Sequence, residues 1–161
     1  MCFKLDADGI QIQLTIHRYR PANRYEDRDD QWCICDFSFT NDYLRYERPF
    51  AEILLSYEVE NLEAALTSLL NGETKTMKVL RFIEPDFIFV FYPKEDLSIY
   101  PDDECIRDTI DGYDITAEWR IYFWNKWPTD NFLNITLDRD DITALRDYLS
   151  SVIKRKNKSA K

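Results

Sequence analysis

The first feature of the chain is an alternation of apolar and polar residues that recurs in several stretches. Ile10–Tyr19, Trp32–Thr40 and Tyr113–Trp124 place large apolar residues at every second position, which predicts strands with one buried face. Phe87–Tyr92 is apolar throughout, which predicts a strand covered on both faces. These stretches predict a β-sheet that supplies much of the core.

Shorter or interrupted patterns predict further strands at Cys2–Leu5, Tyr43–Leu55, Thr76–Phe82 and Phe132–Leu137. Asp8-Gly9 is a hairpin signal, and Pro128-Thr129-Asp130 predicts the turn that precedes the last strand. Pro49 removes a backbone N–H from the second of these segments, so we expect an edge strand, a bulge or two short pieces there.

Apolar residues at steps of three and four predict two helices. Their apolar stripes are Val59, Leu62, Leu66 and Leu69 in the first helix and Ile142, Leu145, Leu149, Val152 and Ile153 in the second. Ser56 is the predicted N-cap of the first helix, and Asn71-Gly72 is its stop signal. Asp138 is the predicted N-cap of the second helix, whose basic end suits the negative end of its dipole.

The order of the predicted elements is strands, a helix, more strands and a final helix, which predicts an α+β fold. We expect a single domain over residues 1–153, with a largely antiparallel β-sheet and two main helices packed on it. A chain of 161 residues can bury a core without needing disulfides or a metal. Residues 154–161 form a basic tail that we expect to be frayed.

Two short motifs carry a resemblance to a known family. The first is Tyr57-Glu58-Val59-Glu60 followed by Leu62, and the second is Phe82, Glu84-Pro85-Asp86 and Phe89. Together with the order of the elements, they resemble the WapI family of bacterial immunity proteins. That resemblance implies a small cytosolic antitoxin that binds the C-terminal toxin domain of a polymorphic toxin. It implies no catalytic residues, and it transfers no contact residues because these vary with the toxin.

The charge of the chain is unevenly distributed. The formal net charge is −9, and five of the 21 Lys and Arg residues lie in the last eight positions. The rest of the chain is therefore strongly acidic, which disfavours nucleic acid and anionic membranes as partners and favours a basic protein. The alternative is that the acidity only keeps the protein soluble. No secretory signal or membrane-spanning stretch is visible, so we expect a cytoplasmic protein.

No motif for catalysis or for a cofactor is present in the sequence. Cys33 and Cys35 lack the spacing of redox and zinc motifs, and we expect them to be buried thiols. A zinc site built from these two residues and His17 has no obvious fourth ligand. His17 lies on the polar side of its strand with no nucleophile motif nearby. The paired carboxylates fall in predicted loops, so we predict no cofactor, no metal and no enzymatic activity.

The candidate contact residues are acidic loop residues and the aromatic residues of one strand. The acidic residues would attract a basic partner. Tyr122 and Trp124 share a strand face with Glu118 and Arg120, and large aromatics beside charges are typical of interface hot spots. The alternative is that a helix covers this face and both rings belong to the core. The full candidate set is Glu26, Asp27, Asp29, Asp30, Asp102, Asp103, Glu104, Tyr122, Trp124 and Trp127.

These features favour a binding protein, with a cognate toxin domain as its partner. Nuclease toxins must attract phosphate and tend to be basic, so an acidic inhibitor would associate with them rapidly. A small hydrolase with an acidic cleft is one alternative, and it requires a pocket that holds carboxylates with perturbed pKa values. A non-catalytic accessory domain with another partner is the second alternative.

Overall fold

A computed structural model describes residues 1–20, 31–94, 114–125 and 127–157. In these residues the strands are β1 Phe3–Ala7, β2 Ile10–Arg18, β3 Trp32–Thr40, β4 Arg45–Leu55, β5 Lys78–Arg81, β6 Phe87–Tyr92, β7 Thr116–Asn125 and β8 Trp127–Leu137. The helices are α1 Ser56–Leu70 and α2 Arg139–Asn157.

The strands of the described residues form two four-stranded antiparallel sheets. Sheet A has the order β1-β2-β3-β4, and sheet B has the order β5-β6-β7-β8. Strands that are adjacent in a sheet are also consecutive along the chain, so both sheets are meanders. The predicted α+β class with two main helices is confirmed, and the strands divide between two sheets.

The two sheets meet through aromatic side chains. The rings of Phe37 in sheet A and Phe87 in sheet B have centroids 4.9 Å apart, in an edge-to-face arrangement. Trp119 of β7 is fully buried and lies against both of these rings and against Phe3 and Phe89. Such pairs add to the free energy of burial, so this cluster joins the sheets at the centre of the core.

Helix α2 ties the sheets and helix α1 together. The Tyr148 hydroxyl accepts a hydrogen bond of 2.7 Å from the Ile16 backbone N–H of β2. Ser150 donates to the carboxylate of Glu63 on α1. The predicted apolar stripes are confirmed, because the core includes Val59, Leu62, Leu66, Leu69, Ile142, Leu145, Leu149 and Val152, with Ile153 packed against it.

The strand faces follow the predicted alternation. Cys33, Cys35, Phe37 and Phe39 of β3 are all buried. In β6, consecutive residues from Phe87 to Phe91 are buried, which confirms a strand covered on both faces. Strand β4 lies at the edge of sheet A, and its pairing with β3 contains bulges. The expected edge strand and the expected bulge around Pro49 are therefore both present.

Two predicted boundaries are wrong. Helix α1 begins at Ser56 itself, with Leu55 as its N-cap. The Ser56 hydroxyl donates to the carbonyl of Gln31, 3.0 Å away, so this side chain is used in a tertiary contact and does not cap the helix.

The turn predicted at Pro128-Thr129-Asp130 is also wrong, because β8 already begins at Trp127. Pro128 pairs with Trp124, and the next pair is Phe132 with Tyr122. Three residues of β8 therefore lie opposite one residue of β7, and the Thr129 hydroxyl donates to the Phe123 carbonyl at 2.9 Å. The turn-forming residues make a bulge in an edge strand, where proline is tolerated.

Asp138 caps helix α2 as predicted. Its Oδ1 accepts hydrogen bonds from the backbone N–H groups of Asp140 and Asp141 at 2.8 and 2.9 Å. We expect Asp138→Ala to lower the free energy of unfolding by about 1 kcal/mol, because these N–H groups lose their acceptor. Chemical denaturation would measure the loss, with Asp130→Ala as a control for removing an exposed carboxylate. Equal stability of the two variants would contradict the capping role.

Candidate functional site

The two sequence motifs meet in the structure at one buried carboxylate. Glu58 lies in the first turn of α1 and accepts hydrogen bonds from the backbone N–H groups of Leu55 at 2.8 Å and Ile83 at 2.7 Å. Burial raises its pKa, although both hydrogen bonds favour the charged form. One side chain therefore fixes the start of α1 to the segment between β5 and β6.

The second motif contains another buried carboxylate, Asp86, which links the sheets. Asp86 Oδ1 accepts a 2.7 Å hydrogen bond from Nη1 of Arg48 on β4, and its backbone carbonyl accepts one from the Tyr122 N–H. The guanidinium of Arg48 lies over the Trp124 ring, 5.0 Å from its centroid. This cluster joins an edge strand of sheet A to β7 of sheet B.

The charge of Asp86 is costly in this environment. Burial raises its pKa to about 6, while Arg48 and the Trp124 indole favour the charged form and Glu84 opposes it. Asp86 Oδ2 and Trp124 Nε1 are both buried without a hydrogen bond of standard geometry. The indole therefore assists the carboxylate by its proximity, and the cluster is stabilised mainly by Arg48.

The outer face of sheet B carries an ordered group of aromatic and charged residues, which we call the Tyr122 surface. The rings of Tyr122 and Phe132 have centroids 5.1 Å apart, and the guanidinium of Arg120 lies 5.9 Å from the Phe132 centroid. Arg120 also pairs with Glu118 at 2.6 Å, and Glu118 accepts a hydrogen bond from Tyr92. Tyrosine and arginine held in this way suit an interface.

The outer face of sheet A carries a second group, which we call the Phe50 surface. Phe50 lies in the bulge of β4 with a φ of 48° and an exposed side chain. Its ring stacks on His17 with centroids 5.4 Å apart, and its N–H donates to Asp36 Oδ1 at 2.8 Å. Asp36 Oδ2 is 2.7 Å from His17 Nε2, so one carboxylate holds both the bulge and the imidazole.

An open depression lies next to Phe50 on the same face. Its volume is about 290 Å³, and its walls are largely polar, with carboxylate, amide and hydroxyl groups. The residues that line it are Gln13, Thr15, Asp36, Phe37, Ser38, Glu47 and Pro49. The Phe50 N–H and the His17 side chain hold the pKa of Asp36 below its usual range, which keeps this wall anionic.

The structure separates the two aromatic candidates that the sequence placed on one face. Tyr122 contacts Phe132 on the outer face of sheet B, whereas Trp124 lies under Arg48 of sheet A. The shift of register between Tyr122 and Trp124 gives them these different neighbours. The remaining candidates lie outside the described residues: Glu26, Asp27, Asp29, Asp30, Asp102, Asp103, Glu104 and the side chain of Trp127.

The zinc site considered from the sequence is not assembled. Cys33 and Cys35 are buried on the inner face of sheet A, whereas His17 is on the outer face and pairs with Asp36. Within the described residues, no three His, Cys, Asp or Glu side chains are grouped to hold a metal ion. No helix among these residues is both long and apolar enough to cross a membrane.

The comparison with known families agrees with the two motifs. The model of the Immunity protein WapI-like family matches residues 3–156. The chain belongs to this family. No curated protein matches the chain, and no solved structure does. The family is one of immunity proteins, which indicates a protein partner and a non-enzymatic role.

The burial and the hydrogen bonds of the charged motif residues give them a structural role. Glu58 and Asp86 anchor segments of the fold and are buried, so they present little surface to a partner of an immunity protein. Sequence reasoning missed Phe50 and Phe132 as exposed aromatics. Pro49 marked the irregular stretch around Phe50, and the alternation in β8 places Phe132 on the polar face with Asn134 and Thr136.

Proposed function

We propose that the protein binds and neutralises the C-terminal toxin domain of a cognate polymorphic toxin, and that it acts in the cytoplasm. The single observation that carries this proposal is the family match over residues 3–156, which spans nearly the whole chain. Two outer sheet faces with exposed aromatic rings beside charged groups support a binding role.

The charge of the chain supports a basic toxin domain, and a nuclease is the proposed class. A nuclease presents positive charge to phosphate, and a body with a net charge of −9 attracts such a surface over several ångströms. Covering that surface also excludes the nucleic acid substrate. The acidic residues Asp102, Asp103 and Glu104 are proposed contributors to this attraction.

We expect the purified chain to bind an inactivated form of the toxin domain encoded beside its gene. The association rate constant should fall by about tenfold or more when salt is raised from about 0.05 M to about 0.5 M, because salt screens the attraction. Stopped-flow association and calorimetry at both salt concentrations would measure this. The active toxin domain should lose its nuclease activity on addition of one equivalent of the chain.

Two controls separate this proposal from non-specific charge attraction. A toxin domain of similar net charge from an unrelated system should not be neutralised. Reversing the charges of Asp102, Asp103 and Glu104 should slow association with the cognate domain and weaken its salt dependence. Absence of binding at both salt concentrations would refute the proposed function, and an unchanged association rate would remove these three residues from it.

A further inference from the structure

We infer that the Phe50 surface is where the toxin domain docks, with Phe50 packed against the toxin and a Lys or Arg side chain of the toxin seated in the neighbouring depression. This inference rests on the proposed function and names the contact surface, which the family match leaves open. We favour the outer face of sheet A over that of sheet B because of the backbone conformation of Phe50, the exposure of its side chain and the depression beside it.

The backbone of Phe50 adopts a conformation that bulky residues avoid. Its φ of 48° lies in the left-handed region, where a side chain with a Cβ is disfavoured and Gly or Asn is usual. The pairing of Cys35 with Ala51 and of Phe37 with Arg48 forces two residues of β4 opposite Asp36. A residue of any kind must bulge there, but the fold does not require a phenylalanine.

The side chain of Phe50 contributes little to the core. It is 73% exposed, and within the described part of the chain its ring contact is with His17, which is itself on the surface. Phe132 on the opposite candidate face is 45% exposed and packs against Tyr122 and Arg120 within its own sheet. Phe132 therefore has a local packing role, whereas Phe50 presents a fixed aromatic ring to a partner.

The depression beside Phe50 determines the chemistry of what it can receive. Its lining carries the carboxylates of Asp36 and Glu47 and, among the residues that the structure describes, no basic side chain. The guanidinium of Arg45 that pairs with Glu47 is itself largely exposed, so this pair can exchange partners at little cost. A cationic side chain entering here would meet the carboxylates of Asp36 and Glu47, which complement its charge, beside the exposed ring of Phe50.

The geometry of β4 excludes docking by strand addition. β4 is an edge strand, but Pro49 offers no N–H and the bulge at Phe50 interrupts the row of backbone groups. Such features prevent edge-to-edge pairing. The contact is therefore made by side chains on the outer face of sheet A.

The test compares the same substitution on the two faces. Phe50→Asn should weaken binding of the inactivated toxin domain at least tenfold, while its thermal midpoint stays equal to or above that of the wild type, because Asn tolerates the left-handed conformation. Phe132→Asn should lower the thermal midpoint and leave binding within about twofold, because it removes only packing within sheet B. Calorimetry would measure the affinity of each variant for the toxin domain, and thermal denaturation would measure the thermal midpoint of each.

A second pair of variants tests the cationic occupant. Glu47→Lys and Glu73→Lys change the net charge equally, but Glu73 is an exposed residue after α1 and is absent from the depression. We expect Glu47→Lys to weaken binding at least tenfold more than Glu73→Lys. Equal losses would show that only the overall charge matters and would overturn the assignment of a basic side chain to the depression.

The outcomes distinguish this inference from the proposed function. Binding that survives in Phe50→Asn but is lost in Phe132→Asn would place the toxin on the Tyr122 surface and overturn the inference while the function stands. Binding that survives in both variants would overturn it as well. A wild-type chain that does not bind the toxin domain would refute the function, and the inference with it.

Discussion

Replacing Arg48 by methionine is expected to lower the free energy of unfolding by about 3 kcal/mol or more at pH 7, since removing one partner of a buried ion pair typically costs 3–5 kcal/mol. The Asp86 side chain is only 4% exposed, so without Arg48 it must either stay charged with no counter-ion or take up a proton at pH 7, and both cost free energy. Its Oδ2 accepts no hydrogen bond of standard geometry, so only the nearby Trp124 indole would still favour the charged form. Urea denaturation of the variant and the wild type would measure the difference.

The loss should be smaller at pH 5 than at pH 7. The pKa of Asp86 in the folded state is about 6, above its ordinary value of 3.8. The folded state therefore binds more protons than the unfolded state between these two values, and the contribution of this group to stability declines as the pH rises through that window. At pH 5 most of Asp86 is protonated in the folded protein, so losing Arg48 matters less.

Two further variants make the test specific to the buried pair. Arg45→Met removes an arginine from the same strand, but its ion pair with Glu47 is exposed, so we expect a loss below about 1 kcal/mol. Combining Arg48→Met with Asp86→Asn should recover most of the lost stability, because no charge then remains buried. If Arg48→Met and Arg45→Met were equally stable, the cluster would not hold the sheets together.

Replacing Glu58 by alanine is expected to lower the free energy of unfolding by about 2–6 kcal/mol, because two backbone N–H groups lose their acceptor and each unsatisfied group costs about 1–3 kcal/mol. The two groups are the N–H of Leu55, which is buried, and the N–H of Ile83. In this variant the segment that follows β5 should also become more accessible to solvent, because it loses its hydrogen bond to α1. Hydrogen exchange at the Leu55 and Ile83 amides would report the opening directly.

Glu58→Gln is the matched variant. Its amide keeps one acceptor oxygen and loses the other, so we expect roughly half of the alanine loss. Glu63→Gln controls for removal of a carboxylate from the same helix, where the side chain accepts from the Ser150 hydroxyl instead of a backbone group. A Glu58→Ala variant as stable as Glu63→Gln would mean that water replaces the carboxylate and that the link between the motifs is not structural.

Several elements were predictable because the information for them is local. The alternation in β3 and the continuous apolar run of β6 indicate which faces are buried, since the side chains of a strand point to opposite sides in turn. Asp138 caps α2 through N–H groups only two and three residues away. The sequence therefore predicted the buried faces of the strands, the apolar stripes of the helices and this cap without knowledge of the tertiary packing.

The sequence by itself determined the fold class, the faces of the strands, the irregularity of β4 around Pro49 and the acidic charge, which follow from local periodicity and composition. Tertiary structure alone decided that Glu58 would satisfy an N–H 25 residues away and that Asp86 would meet Arg48 across the sheets. It also decided that Phe50 would be left exposed in a bulge and that Tyr122 and Trp124 would have different neighbours. These outcomes depend on which distant segments pack together, because a buried polar group takes its partner from whatever backbone or charge the packing brings within reach.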